Sequence, residues 1–189
     1  MRLIALPVGE LETNCYILFK ENRDDALVVD PGAEGDRIIA ALNGRKVAAV
    51  LLTHGHFDHT GALSCFSEAP IYIHQLDSMM LQDSHYSFGR IANDHTPRPA
   101  ATQFLTDNQR LNLAGMELQV LHTPGHTRGS VCLKVGNDIL TGDTLFKGDY
   151  GRTDLPGGSE EQMRASLRRL LTFSGFSFHP GHGEGGVIK

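Results

Sequence analysis

A chain of 189 residues with 40% apolar residues has the size of one domain, 1–189, and is long enough to bury a substantial core. Its net charge of −5 and its lack of Lys or Arg runs argue against a nucleic-acid partner, which needs a basic surface. No apolar run is long enough to span a bilayer, and the first residues make a poor signal peptide, so we predict a cytoplasmic protein without membrane contact.

The three cysteines are Cys15, Cys65 and Cys132. Their odd number and wide separation give no disulfide framework and no CxxC pair. Each has apolar neighbours in the sequence, so all three are predicted to be small buried side chains with reduced thiols.

The first half of the chain alternates short apolar runs with two helical segments. Strands are predicted at 3–8, 14–20, 25–30, 47–54 and 71–74. The run 47–54, "VAAVLLTH", is apolar throughout and β-branched, as is typical of a central strand. Helices are predicted at 34–44 and at 58–69.

Residues 77–101 show no clear period, and loops of this length inside compact domains are often functional. Hairpins are then predicted at 109–123 and 130–143. A helix at 159–173 begins with a capping box formed by Ser159 and Gln162, and a short strand follows it. Hairpins with a few helices between them favour two sheets with helices packed outside, although periodicity alone does not fix the topology.

Polar side chains suited to metal ions follow four of the predicted strands. The stretch "THGHFDHTGA" comes directly after the central strand, and "TPGHTRGS", "TGDTLF" and "PGHG" each come just past a later one. The candidate ligands are five imidazoles and two carboxylates: His54, His56, Asp58, His59, His126, Asp143 and His182. Three such ligands suit one catalytic zinc, so seven favour two ions, and a carboxylate such as Asp143 can bridge them.

Each of these residues alone has a simpler explanation. Asp58 could cap a helix, Asp143 could close an Asx-turn, and a lone histidine near a strand end is usually a hydrogen-bonding residue. The spacing of the whole set favours metal binding instead. The other histidines are predicted to be structural. Of these, His122 and His179 are candidates for hydrogen bonding to the metal ligands.

The four motifs together resemble those of the metallo-β-lactamase fold superfamily, from "LETNCYIL" to "PGHG". The resemblance implies an αββα sandwich: two mixed β-sheets with helices on their outer faces and a dimetal site at one edge. It also implies His54, His56 and His126 on the first metal, Asp58, His59 and His182 on the second, and Asp143 between them.

Within that superfamily, "GDTLFKGDYGRTDLPGG" resembles the glyoxalase II-like hydrolases of the short bacterial type. Arg128 stands where the family usually has proline, and Arg152 follows "DYG" where glyoxalase II has a lysine after "GCG". The chain ends seven residues after His182, which predicts that the glutathione-gripping helical domain is missing. Arg152 is predicted to bind a substrate carboxylate, with an ion pair to Asp154 or Asp149 as the alternative.

The expected activity is hydrolysis of a thioester, S-lactoylglutathione or a related acyl-glutathione, by a metal-bound hydroxide that Asp58 holds in line. The cofactors are two divalent metal ions, most simply zinc, with iron or manganese as alternatives. A persulfide dioxygenase with one iron on His54, His126 and Asp143 is the nearest rival. A β-lactamase, an RNA-processing nuclease and a non-catalytic binding module are disfavoured, the first because Asp143 is not a typical ligand there.

Overall fold

Two six-stranded sheets face each other in the computed structural model, which describes residues 1–189. The first sheet has the order β1 (Arg2–Val8), β2 (Thr13–Phe19), β3 (Asp25–Val29), β4 (Lys46–Leu51), β5 (Ile71–His74), β6 (Gln103–Leu105). The first three strands pair antiparallel, and β3 to β6 pair parallel, so this sheet is mixed.

The second sheet is also mixed. Its order is β14 (Gly186–Val187), β13 (Ser177–Pro180), β10 (Asp138–Gly142), β9 (Val131–Val135), β8 (Met116–His122), β7 (Arg110–Leu113). Only β10 and β13 pair parallel. A small ribbon of β11 (Leu145–Phe146) and β12 (Asp149–Tyr150) follows β10 in the chain.

Helices cover the outer faces of both sheets. Because side chains alternate along a strand, Ile17 and Leu18 of β2 enter different apolar clusters. Ile17 packs with Ile38 of helix α1 (Gly35–Leu42), whereas Leu18 packs with residues of the second sheet. Helix α3 (Glu160–Leu171) covers the other sheet through Leu170, and Ser159 caps it by accepting from the Gln162 amide. The expected αββα sandwich is thus confirmed.

The helix predicted at 58–69 is wrong in length. Helix α2 covers only Phe57–Thr60, and a separate 3₁₀ helix covers Leu63–Phe66. The break arises because the Ala62 amide donates to the Pro31 carbonyl, outside the helix, where the turn after β3 packs against Gly61. Asp58 does not cap α2, since the helix begins after His56 and no side chain caps it.

The segment without periodicity begins with a 3₁₀ helix, Gln75–Leu81, and continues through turns. Arg98 links the C-terminal end of this segment to α2. Its guanidinium donates to Thr60 Oγ1 and to the Phe57 carbonyl and pairs with Asp94. This arrangement leaves the middle of the segment beside the loop that carries His56. None of the helices is both long and apolar enough to cross a membrane.

The cysteine prediction is wrong for Cys65, which is exposed, and correct for Cys15 and Cys132, which are buried. In the 3₁₀ helix, Leu63 and Phe66 are three residues apart and both turn inward. Cys65 lies between them and faces outward. Burial raises the pKa of the Cys132 thiol to about 11, so this cysteine stays protonated at neutral pH.

Candidate metal centre

All of the predicted ligands meet at one edge of the two sheets. His54, His56, Asp58 and His59 follow β4, while His126 follows β8, Asp143 follows β10 and His182 follows β13. Four strands of two different sheets therefore end at the same place, which brings side chains that are distant in sequence within a few ångströms.

A first group consists of His54, His56 and His126. The Nδ1 atom of His56 lies 3.1 Å from His54 Nε2 and 2.9 Å from His126 Nε2. These three nitrogens lie within 4.8 Å of one another, and all three side chains are buried. Such a cluster of imidazole nitrogens has the donor set of a zinc or iron site.

A second group consists of Asp58, His59 and His182. The Asp58 Oδ2 atom lies 3.5 Å from His59 Nε2 and 3.3 Å from His182 Nε2, and the two imidazole nitrogens are 3.4 Å apart. Their ligand atoms also lie within 4.8 Å of one another. One carboxylate and two imidazoles suit a second divalent ion.

Asp143 lies between the two groups. Its Oδ1 atom is 3.4 Å from His59 Nε2, and its Oδ2 atom is 3.4 Å from His126 Nε2. Oδ1 is buried and accepts no hydrogen bond, which is costly for a carboxylate oxygen unless a cation takes the place of a donor. The residues therefore fit a pair of divalent ions with Asp143 as the bridge.

Groups behind the ligands set which imidazole nitrogen faces the centre. His126 Nδ1 lies 2.8 Å from the Arg152 carbonyl, and His182 Nδ1 lies 2.9 Å from the Leu11 carbonyl. A carbonyl oxygen can only accept, so each Nδ1 carries the proton and each Nε2 presents its lone pair. The main-chain carbonyls thus hold both rings as ligands.

Asp30 orients the His59 ring in the same way, through Nδ1, and the sequence analysis did not predict this role. Its carboxylate is buried and lies 3.0 Å from His59 Nδ1, and it also accepts from the Thr53 amide and hydroxyl at 2.8 and 2.7 Å. The only signal in the sequence was an aspartate at the end of the apolar run "ALVVD". A carboxylate behind a ligating histidine raises its basicity and fixes its orientation.

Asp77 is a second buried carboxylate that sequence reasoning missed. It accepts from Thr127 Oγ1 at 2.6 Å, from the Gly129 amide at 2.7 Å and from the Gly55 amide at 3.3 Å. It therefore ties the loop that carries His54 and His56 to the loop that carries His126. Burial raises the pKa of Asp77, although its three donors oppose that shift.

The two histidines predicted as candidates for a supporting role contact other groups. His122 Nε2 lies 3.0 Å from the Arg128 carbonyl, and its ring stacks on that of His74 at 4.3 Å. His179 Nε2 lies 2.8 Å from Asp138, outside the centre. Neither histidine hydrogen-bonds to a ligand, so the structural explanation holds for both.

Arg152 lies near the centre through its backbone, but its side chain is occupied. The guanidinium forms two hydrogen bonds of 2.8 Å with the Asp154 carboxylate, and both side chains are exposed. This contact is the ion pair that the sequence left as the alternative. Substrate binding by Arg152 stays a prediction.

Protonation differs between the two groups. Burial and the neighbouring imidazoles lower the pKa of His54 well below its ordinary value, and burial lowers that of His56 to about 3. Burial also disfavours the charged form of His59, but the carboxylates of Asp58, Asp143 and Asp30 outweigh it and raise its pKa well above the ordinary value. The pKa of His182 is raised in the same way, because its contacts with Asp58 and Asp143 outweigh burial.

We therefore expect acid to remove the second metal ion first. At neutral pH the metal-free His59 holds a proton that an ion must displace, whereas His54 and His56 are already neutral. When metal binding displaces one proton from the second group, the affinity of that group for its ion falls about tenfold for every unit by which the pH is lowered. Elemental analysis after dialysis between pH 8 and pH 6 should show the content falling from two equivalents to one. Simultaneous loss of both ions would contradict this difference between the two groups.

Comparison with known sequences agrees with this geometry. A family model described as the metallo-beta-lactamase superfamily matches residues 8–185. The probable metallo-hydrolase YqgX of Bacillus subtilis is 36% identical over 181 residues, which cover 91% of this chain and 85% of that protein. The hydroxyacylglutathione hydrolase GloC of Haemophilus influenzae is 31% identical over 188 residues, which cover 90% of this chain and 84% of that protein.

Solved structures show the same fold. BLEG-1, described as a B3 metallo-β-lactamase, has a TM-score of 0.93 at 31% identity, covering 99% of this chain and 94% of that one. TTHA1623, solved in a di-iron-bound form, has a TM-score of 0.86 at 34% identity, covering 98% and 94%. ETHE1 from Myxococcus xanthus has a TM-score of 0.82 at 26% identity, covering 100% and 80%. These matches, together with the fold and the cluster of histidines and aspartates, show that the present chain belongs to the metallo-β-lactamase superfamily.

Proposed function

We propose that the protein hydrolyses thioesters of the acyl-glutathione type with two divalent metal ions, most simply zinc. The observation that carries the proposal is Asp143, which contacts both ligand groups. Its Oδ1 lies near His59 and is buried without a donor, and its Oδ2 lies between His126 and His182. The likeness to the hydroxyacylglutathione hydrolase GloC and to a protein solved with two irons supports this proposal.

The chain's own residues account for orientation of the nucleophile. Divalent ions, when bound, lower the pKa of water to about 7 and polarise a carbonyl group. Charge from His59 lowers the pKa of Asp58 despite burial, so Asp58 is an acceptor at neutral pH. Thr13 Oγ1 donates to Asp58 Oδ2 at 3.1 Å and holds this carboxylate in place. Asp58 thus orients the attacking water by accepting its hydrogen bond.

The leaving group needs little help from the protein. A thiol has an ordinary pKa of about 8.5, so a thiolate can depart without a strong general acid. An amide or simple ester would leave as a much stronger base and would need a proton donor. A thioester therefore needs less help from the site than an amide does.

We expect the purified protein to bind two metal equivalents per chain. Seven ligand side chains converge in two groups with Asp143 in contact with both, and one ion would leave part of this set unpaired. Elemental analysis should give about two equivalents after reconstitution with zinc, iron or manganese. One equivalent in the presence of excess metal would instead favour a mononuclear centre.

The activity itself is tested with a substrate panel. We expect thiol release from S-lactoylglutathione and other acyl-glutathiones, and little turnover of a chromogenic cephalosporin. The cephalosporin belongs in the panel because BLEG-1 is described as a B3 metallo-β-lactamase. If no thioester is cleaved while glutathione persulfide drives oxygen uptake by the iron-loaded protein, the protein is instead a persulfide dioxygenase.

A further inference from the structure

A groove lies beside the first ligand group and has no role in the proposed hydrolysis step. It encloses about 730 Å³, within the roughly 300–1,000 Å³ range of small-molecule sites. The aperiodic segment forms most of its wall, and the loops around Arg128 and Pro156 form the rest. The volume is sufficient for one half of a substrate of glutathione size.

The groove adjoins the metal centre, although no ligand side chain lines it. Phe88 lines it, and the Phe88 ring lies edge-on to His56 with 5.1 Å between ring centroids. Met80 also lines it and packs so closely on Gly55 that a Cβ atom there would lie 2.6 Å from Met80 Cβ. The side chains of Phe88 and Met80 therefore separate the groove from the loop that carries His54 and His56, and a substrate that extends over Phe88 would approach His56.

The groove exposes an unusual amount of apolar surface. Four exposed large apolar side chains border it: Leu76, Met79, Tyr86 and Ile91. Ile91 is 84% exposed, the highest value among the large apolar residues of the chain. Exposed apolar side chains gathered in one patch mark interaction or ligand-binding sites.

Two arginines with unpaired guanidinium groups border the same groove. Arg128 is held only through its backbone, whose carbonyl lies 3.0 Å from His122 Nε2, and Arg90 only through backbone bonds to Ser84 and Asn93. By contrast, Asp94 binds Arg98 and Asp154 binds Arg152. Arg128 and Arg90 are thus the guanidinium groups free to bind an anion beside the centre.

The opposite flank of the centre offers no cationic side chain to a substrate. A smaller groove of about 340 Å³ beside Asp58 is lined by Glu10, Asp58 and Asp94 and by no lysine or arginine, and Asp94 is already paired with Arg98. A substrate with a carboxylate on one side of its scissile bond would be repelled from this flank and attracted to the arginines. The centre therefore distinguishes the two halves of a substrate.

We propose that the groove beside Phe88 binds the half of the thioester that carries a carboxylate on a partly apolar chain. Arg128 and Arg90 bind the carboxylate, and Met79, Phe88 and Ile91 contact the apolar chain. This site deepens the proposed function and rests on it for the reaction, but the binding of the carboxylate can be measured without any turnover. Arg128, the departure from the family's proline, is then a residue that determines specificity.

The kinetic test uses the metal-loaded enzyme with thioesters of 3-mercaptopropionate and of neutral N-acetylcysteamine. We expect Arg128→Met to lower kcat/KM for the anionic thioester roughly tenfold through KM, as expected for loss of a charged hydrogen bond, and to leave the neutral one nearly unchanged. Arg168→Met is the matched control, because Arg168 is an exposed arginine on α3 away from the groove. Equal losses on both substrates would overturn the proposal.

The binding test separates this proposal from the proposed function. The probes are 3-(hexylthio)propanoate, which cannot be hydrolysed, and its neutral amide, titrated calorimetrically into the metal-loaded protein. We expect the acid to bind about tenfold more tightly than the amide, and the difference to vanish in the Arg90→Met/Arg128→Met double variant. Selective acid binding without thioester cleavage would overturn only the proposed function, whereas cleavage with equal binding of acid and amide would overturn only this site.

A second copy of the chain is the other possible occupant of the apolar surface. Light scattering should therefore show the same mass for the wild type and for Ile91→Asp. A dimer that Ile91→Asp dissociates, with binding of the acid unchanged, would make the surface an interface and overturn the proposal.

Discussion

Replacement of Asp143 by alanine should reduce thioester hydrolysis far more than replacement of His182. Asp143 directs one oxygen toward His59 and the other toward His126, so its removal changes both metal sites. His182 belongs to the second group alone and is partly exposed. Loss of several kcal/mol of transition-state stabilisation corresponds to a decrease in kcat on the order of a thousandfold for Asp143→Ala, against roughly ten- to a hundredfold for His182→Ala.

Metal content distinguishes the two variants independently of rate. We expect His182→Ala to keep about one tightly bound equivalent, because the first group does not include it, whereas Asp143→Ala should weaken both. Asp143→Asn keeps the shape of the side chain and one oxygen, so its activity should lie between that of Asp143→Ala and the wild type. Equal residual activity in Asp143→Ala and His182→Ala would show that Asp143 does not bridge.

The convergence of the candidate ligands could be predicted from sequence because their spacing is local and chemically specific. His54 and His56 are two residues apart on extended chain just past the end of β4, which turns both toward one side. The later ligands each follow an apolar run and lie among glycines, which marks strand ends that can meet at one edge. The apolar runs predicted two sheets with helices packed outside, but the αββα sandwich itself came from the resemblance to the superfamily, because periodicity does not fix the topology.

The residues that hold the ligands could not be predicted in this way. Asp30 and Asp77 are single aspartates whose role depends on partners 22 to 52 residues away, such as Gly55 and Gly129. No periodicity marks such a contact. Helix α2 was overestimated for the same reason, since its end depends on the contact between Ala62 and Pro31 across the fold.

The periodicity of the sequence did not predict the groove either. Its wall comes from a 3₁₀ helix and turns, in which apolar residues such as Met79 and Ile91 do not recur at a helical or strand interval. The absence of a pattern over 77–101 indicated a functional loop, but only the three-dimensional arrangement shows that its apolar side chains lie beside two unpaired arginines.

One glycine of the segment "GDTLFKGDYGR" lies in close contact with the bridging aspartate. A Cβ atom on Gly151 would lie 1.8 Å from the Asp143 carbonyl oxygen and 3.3 Å from Asp143 Cβ. The next residue, Arg152, offers the carbonyl that orients His126. The backbone at 151–152 therefore positions the bridging aspartate and one imidazole of the first group together.

Replacement of Gly151 by alanine should consequently damage both the fold and the metal centre. The added methyl group cannot remain in contact with a backbone carbonyl at 1.8 Å, so the chain must shift at Asp143 or at Arg152. Overpacking of this kind costs about 3 kcal/mol, which lowers the melting temperature of a domain of this size by about 10 °C. We also expect at least one of the two metal equivalents to be lost, as measured by elemental analysis of the folded protein.

Gly44→Ala is the matched control. Gly44 has a φ of +80° and no atom within 4 Å of an added Cβ, so alanine there meets backbone strain without any clash. Its cost should be only about 1 kcal/mol, with both metal equivalents and full activity retained. If Gly151→Ala behaved like Gly44→Ala, the backbone at 151–152 would be free to move away from Asp143. The position of the bridging carboxylate would then depend on β10 alone.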